Sequence, residues 1–240
     1  DEGEVCIMAI QAGETTFYQA KRGIVQNGLV LNLDAAVDDS YSGGTTWYDL
    51  SKNANAVMYN MNSSNLDKDN GGGLVFDGTD EYVQVNQTLS TPFSICSFVK
   101  YSAPSKSYNT LINTDPHQVI GISLNRLGGG QLYVYIGNGS GWTGVPSIGL
   151  GSNTMLIDQI YQVAFTSTGS GSVLYLNGVQ VATTPHSPSG WGSYYYLGKI
   201  GVATGEYLRG TIYNTAIYNK SLTATEVLQN YNATRHRFGV

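Results

Sequence analysis

The sequence predicts an all-β protein, an antiparallel two-sheet sandwich with one short helix near its C-terminal end. Three observations carry that expectation. The stretch Ile160 to Thr184 writes out a β-meander: Tyr161, Val163 and Phe165 alternate with Gln162, Ala164 and Thr166, the period of two that sends one set of side chains inward. Ser167 to Ser172 is small and polar, so the chain can reverse there. Val173 to Leu176 forms a second strand, Asn177-Gly178 supplies the positive φ angles of a two-residue type I′ turn, and Val179 and Val181 begin a third. Similar short segments bounded by Gly, Asn or Pro recur along the chain. Helix signals, by contrast, are confined to Thr223-Ala-Thr-Glu226, a capping box followed by Val227, Leu228 and Tyr231 on one side, which reads as a short helix forming a lid on one edge.

Composition narrows the class. At 240 residues one all-β domain is the expectation. Charged residues make up 12%, about half the usual share, so solubility rests on Ser, Thr, Asn and the 30 glycines. Hydrophobic residues at 41% suffice for a sizeable core and exclude a disordered chain. The net charge is −5 and the few Lys and Arg are scattered, apart from Arg235, His236 and Arg237, which argues against nucleic acid as a partner. No apolar run approaches the roughly 20 residues of a membrane span, and DEGEVC at the start has neither a basic nor an apolar targeting region. Cys96 alternates within a strand and reads as a buried free thiol; a Cys6 to Cys96 disulfide stays open as the alternative.

In chain order, residues 1–27 read as an N-terminal arm and 28–240 as the sandwich. Val5, Ile7 and Ala9 alternate, so the arm can add a strand to a neighbour; packing on its own sandwich is the other reading. Leu29, Leu31 and Leu33 share one face of the opening strand. Asp34 to Asn55 is a long polar connection holding Trp47 and Tyr48, and AVMYNM follows as a short strand. FDGTDEYVQV reads as one strand introduced by the Asp77-Gly78 turn signal. Thr91-Pro92 opens the next strand, which runs to about Tyr101. Thr110 to Asn113, Gln118 to Leu124, Gln131 to Ile136 and Leu208 to Tyr218 complete the set.

These segments carry a resemblance. LYLNG within its meander, LVFDGTDEYVQV, FSICSFVK and the run from Tyr196 to Val227 occur in the order and spacing of the laminin-G, pentraxin and concanavalin A-like lectin/glucanase group, over roughly Leu29 to Val240. The resemblance implies a jelly-roll sandwich whose first strand lies near the last ones. LVLNLDA, TTWYDLSKNAN and QNYNATRHRFG are similar to segments of bacteriophage structural proteins, with Lys52 and Ala54 where that pattern has glycines.

Four chemistries can be weighed on these residues. A glucanase of this group needs two carboxyl groups about 5 to 5.5 Å apart for retention, placed by the family in an ExDxE-like run that is absent here; Asp80 and Glu81 are adjacent and read as edge acids of their strand. His117, His186 and His236 sit in loop-like or terminal contexts without a nucleophile motif. Calcium is a candidate cofactor through the resemblance: the pentraxin pattern puts Asp115 at one half of a site, but Lys199 stands where the other half wants carboxylates. A separate calcium site from Asp49, Asn53 and Asn55 competes with a reading in which these side chains bond their own loop. For sugar binding, Trp142, Trp191 and Tyr194 lie on Gly-rich loops, where aromatic rings can stack on pyranose faces; the alternative is that both tryptophans plug the sandwich ends.

The sequence therefore leads us to expect a non-enzymatic module. Its leading reading is a virion structural protein (phage decoration, fibre or tail) that attaches through its arm to other virion proteins or to copies of itself, with surface glycans as further partners and the virion surface as its place. A secreted, extracellular carbohydrate-binding lectin module is the alternative.

Overall fold

The computed structural model describes residues 23–69, 71–102, 108–114, 119–126, 129–140, 147–201 and 206–240. The arm up to residue 22, with Cys6, lies outside them, as do Asp115, His117 and Trp142.

The chain runs through β1 (Leu29–Asp34), β2 (Thr46–Trp47), β3 (Ala56–Tyr59), β4 (Leu66–Asp67), β5 (Gly73–Asp77), β6 (Tyr82–Val85), β7 (Phe93–Tyr101) and β8 (Thr110–Thr114). It continues through β9 (Ile120–Arg126), β10 (Gln131–Ile136), β11 (Ser147–Gly149), β12 (Tyr161–Ser167), β13 (Ser172–Leu176), β14 (Val179–Thr184), β15 (Tyr195–Leu197) and β16 (Arg209–Tyr218) to helix α1 (Ala224–Thr234). The first sheet has the order β14-β13-β12-β7-β16-β5-β4, with β1 also on β16; the second has the order β11-β10-β9-β8-β15-β6-β3-β2.

Strand β16 ties the first sheet together. One edge pairs with β7, while the other takes β5 along Arg209 to Ile212 and β1 along Asn214 to Tyr218. A bulge between Ile212 and Asn214 marks the change of partner. Leu31 therefore faces Ile217 across the pair, so first and last strands are neighbours as the resemblance implies. Between the sheets lies one apolar core, with Phe93, Ile95, Val99, Val163 and Phe165 from one side and Val83, Val85, Ile112, Ile122, Val134 and Leu197 from the other.

The Asn177-Gly178 turn forms as expected, with φ of 52° and 77°. Gly178 is required twice over, because a Cβ there would meet Leu228 Cδ1 at 3.0 Å and the Tyr231 side chain at 3.1 Å. The Thr223 capping box also forms: Thr223 Oγ1 accepts from Glu226 N and the Glu226 carboxylate accepts from Thr223 N.

Three expectations are corrected. FDGTDEYVQV is two strands: Phe76 and Asp77 end β5 in the first sheet, and Tyr82 opens β6 in the second. The Asp77-Gly78 signal is thus the crossing between sheets, and Glu81 lies in the crossing rather than in a strand. The alternation of β12 does not separate inside from outside, since Gln162, Ala164 and Thr166 are buried too. Their cover is the third correction: α1 lies over the outer face of the first sheet, not over an edge. Val227 and Leu222 close a second cluster with Cys96, Ala164, Tyr175, Ala216, Tyr218 and Val25, while Leu228, expected beside Val227, is 43% exposed.

That cluster also places the described end of the arm. Val25 N donates to Asn230 Oδ1 at 2.8 Å and Gln229 Nε2 to the Gly23 carbonyl at 2.9 Å, so the segment from residue 23 packs on its own sandwich. Beyond the helix, Arg237 Nη1 meets Asp34 Oδ2 at 2.6 Å while its Nε and Nη2 donate to the Gly71 carbonyl. Phe238 packs on Phe98 and Tyr213.

Candidate functional site

Among the described residues, no helix lies over the outer face of the second sheet. Registers define a row across it: Val57 opposite Gln84, Gln84 opposite Tyr196, Tyr196 opposite Asn113, Asn113 opposite Gly121, Gly121 opposite Tyr135 and Tyr135 opposite Ser147. Tyr59 opposite Tyr82 begins the neighbouring row, and Ser123, Tyr133 and Gly149 end it. Tyrosines therefore stand on both wings and small or amide side chains lie between them.

A hairpin divides the wings. Leu208 N donates to the Gly198 carbonyl, Lys199 bridges Tyr207 and Ile200 N donates to the Glu206 carbonyl. Gly201 N then reaches Asn113 Oδ1 at 2.9 Å, laying the hairpin over the middle of the face and burying Asn113. Gly198, at φ 80°, permits the departure from β15, and a Cβ there would meet the Phe76 ring at 2.7 Å.

On the wing formed by β3, β6 and β15, Tyr59 and Tyr82 stack with centroids 4.6 Å apart and planes 6° from parallel. Tyr196 meets the Tyr82 ring edge-on at 5.5 Å, and Tyr194 lies 5.3 Å from Tyr196. Lys199 Nζ sits 4.0 Å from the Tyr82 centroid and 4.7 Å from that of Tyr196. Burial holds the ammonium below the usual lysine range and, with Tyr59 and Tyr207 nearby, holds the Tyr82 hydroxyl above the usual phenol range. Tyr59 and Val57 remain 38% and 37% exposed.

The wing rests on a polar strut. Glu81 accepts from Asn65 Nδ2 at 2.7 Å and Asp77 N at 2.6 Å, and Asn60 Nδ2 donates to the Asp80 carbonyl, which fixes the crossing just ahead of Tyr82. The carboxylate weighed for hydrolysis is a turn cap. Opposite, Tyr133 and Tyr135 lie 4.8 Å apart and the Tyr133 hydroxyl bonds to Ser147 Oγ.

Of the residues singled out for ligand binding, Tyr194 joins this wing. Trp191 packs edge-on against Phe93 at 5.1 Å and half-buried on the core, in the plugging role. Trp142 and Asp115 lie outside the described residues. Asp49, Asn53 and Asn55 do come together, but as a cap. Asp49 Oδ1 accepts from Asn32 N, Ser51 N and Ser51 Oγ, and Oδ2 from Asn53 N, Ala54 N and Ser51 Oγ, at 2.7 to 3.0 Å. Asn55 Oδ1 accepts from Asp49 N, so donors converge on the carboxylate where a cation would need its lone pairs. Lys52 in that loop adopts φ 64°, the left-handed conformation at one of the positions where the resemblance expects glycine. No group of three or more His, Cys, Asp or Glu suited to a metal occurs among the described residues, and no described helix is long and apolar enough to cross a membrane.

Tyr59, Tyr82, Tyr196 and Lys199 were not distinguishable as site residues in the sequence. The available signal was period-two alternation, Val57 with Tyr59 and Tyr82 with Gln84, which marks outward aromatics without saying that they meet.

Comparison with known proteins defines the class. Residues 77–228 match a laminin-G family described as belonging to the concanavalin A-like lectin/glucanases superfamily, and the chain belongs to that superfamily. No curated protein sequence matches it. Among solved structures, Trypanosoma rangeli sialidase in complex with sialic acid is similar at TM-score 0.62 and 18% identity, covering 88% of this chain and 33% of the sialidase. Domain 4 of AbnA, a GH43 extracellular arabinanase from Geobacillus stearothermophilus, in complex with arabinotriose, gives TM-score 0.60 at 17% identity, over 85% of this chain and 98% of that domain. The binding domain of botulinum neurotoxin DC in complex with SialylT gives 0.61 at 12%, over 86% and 52%. At these identities the likeness is one of fold, and the chain spans about a third of the sialidase.

Proposed function

We propose that this protein is a non-enzymatic carbohydrate-binding module whose binding surface is the tyrosine wing of the second sheet. The carrying observation is the set Tyr59, Tyr82, Tyr194 and Tyr196 on an outer face over which no helix lies among the described residues, in contrast to the covered outer face of the first sheet. Ring faces and edges match the C–H faces of pyranoses, and Gln84 beside them supplies an amide for hydroxyls. Superfamily neighbours whose structures hold sialic acid, arabinotriose or SialylT support a sugar as the ligand class.

Glycan-array screening followed by calorimetry tests this reading. A hit should weaken by about tenfold or more in Tyr82→Ala, on the scale of removing one aromatic anchor. Retained affinity in Tyr82→Ala and Tyr59→Ala would move the site elsewhere. Reducing-sugar release from a polysaccharide, lost in Glu81→Gln, would overturn the non-enzymatic part.

For the setting, we propose a particle or cell surface, with residues 1–22 as the attachment segment; the support is the similarity of LVLNLDA, TTWYDLS and QNYNATRHRFG to phage structural proteins. Because the chain from Gly23 is held by α1 on the first sheet, attachment and sugar binding would use opposite faces. Deleting residues 1–22 should leave a folded protein that fails to assemble. Unimpaired assembly would place the attachment surface on the sandwich.

A further inference from the structure

Resting on the sugar-binding reading above, we infer that the tyrosine wing selects acidic glycans, with Lys199 as the residue that reads a carboxylate on the sugar. An aromatic cluster of this kind recognises either an apolar face or a cation. The cation position is already filled by the protein's own ammonium: Lys199 Nζ lies over Tyr82 at 4.0 Å and beside Tyr196 at 4.7 Å. A cationic ligand would meet like charge there.

Among the described residues the ammonium also has no acidic partner. The two ion pairs among the described residues are Lys220 with Glu226 and Arg237 with Asp34, and Lys199 takes part in neither. Its hairpin neighbour Glu206 contributes a backbone carbonyl to Ile200 N, and burial holds the Glu206 carboxyl above its usual range. A lysine in this protein is scarce, since Lys and Arg total 12 in 240 residues, and this one is placed by a bridge to Tyr207 on the wing that carries the stacked tyrosines. Three N–H donors held at an aromatic wall, partly desolvated and without a carboxylate, are complementary to an anion carried by a ring that the tyrosines can cover. Burial, which holds the ammonium below the usual lysine range, also leaves its donors partly stripped of water, so a carboxylate can meet them directly.

The shared ligand chemistry is a carboxylated pyranose, and two sources offer it: hexuronic acids of acidic polysaccharides and sialic acids of glycoconjugates. Calorimetry on the intact chain with tetragalacturonate, its methyl ester, 3′-sialyllactose and lactose separates them. We expect at least one carboxylated probe to bind about tenfold tighter than its neutral counterpart, the scale of one charge-assisted hydrogen bond. Lys199→Gln should abolish that preference, and Lys199→Arg should retain it. Rising salt should weaken the acidic probe alone. Equal affinities for acidic and neutral probes, or a preference that survives in Lys199→Gln, would overturn the inference and leave the sugar-binding reading standing. Failure of every probe and of a wider glycan array overturns both.

Discussion

The two sheets of this sandwich have outer faces of opposite character. Over the first sheet, α1 and the segment from Gly23 bury Cys96, Ala164, Tyr175, Ala216 and Tyr218, so β7, β12 and β16 are buried on both sides. Over the second, strands β3 and β6 keep the alternation of buried and open positions, and the open ones carry Val57, Tyr59, Tyr82 and Gln84. A sheet covered twice serves stability, and a sheet whose outer face stays open along β3 and β6 leaves a surface for recognition there. The difference arises from about fifteen residues after β16, because the capping box at Thr223 starts a helix where the chain would otherwise leave the first sheet bare.

Substitution of one residue on each face tests that contrast most strongly. Val227→Asp puts an uncompensated carboxylate into the cluster under α1 and should cost about 3–5 kcal/mol. Val57→Asp on the open face should change stability by about 0.5 kcal/mol or less. Urea denaturation of both proteins measures the difference, and similar costs would show that the second sheet's outer face is also covered.

The next effect concerns the loop beneath β1. Asp49→Ala leaves four backbone N–H groups without their acceptor and should destabilise by about 2–4 kcal/mol, given the penalty for unsatisfied buried donors. Millimolar calcium should leave the melting temperature of the unaltered protein unchanged, whereas a calcium-dependent rise lost in Asp49→Ala would show that the loop reorganises around a cation.

Tyr82→Ala should cost only about 1 kcal/mol, the scale of an aromatic pair, while weakening sugar binding about tenfold or more. A large loss of stability would instead assign the tyrosine wing to folding. The smallest effect is in acid. The bond from Lys220, then those from Thr223, hold the Glu226 carboxyl below its usual range. A depressed native pKa contributes stability above the unfolded value of about 4.3 that is lost as pH falls through the folded value. Glu226→Gln should therefore flatten the fall in melting temperature on acidification below about pH 5, as read by a thermal scan at each pH. On the same face, burial pushes the Cys96 thiol up to about 12 despite its bond from Asn230, so alkylating reagents should reach it only on unfolding.

How much of this was legible follows from the range of each signal. The strands of the meander, the Asn177-Gly178 turn and the Thr223 capping box rest on signals within a few residues, and each formed where the sequence wrote it. Asp77-Gly78 was legible as a turn but not as the passage from one sheet to the other, because a turn dipeptide encodes local φ angles and not the destination of the next strand. Tyr194 was legible as an aromatic on a Gly-rich loop. Its partners Tyr59, Tyr82 and Lys199 were not, since they approach only through the registers of β3, β6 and β15 and the bridge of Lys199 to Tyr207. The same holds for Asp49: its residue type allowed a metal ligand or a loop cap, and only the tertiary structure brings five donor groups from four other residues onto its carboxylate.

By itself, then, the sequence determined the sandwich class, the meander and the capped helix, because these rest on periodicity and on backbone preferences of single residues. Tertiary structure alone decided which outer face the helix covers, which tyrosines stand together and which lysine lies among them. The physical reason is that these depend on strand register and on where a long chain returns, which are set by burial summed over the whole core rather than by any local run of residues.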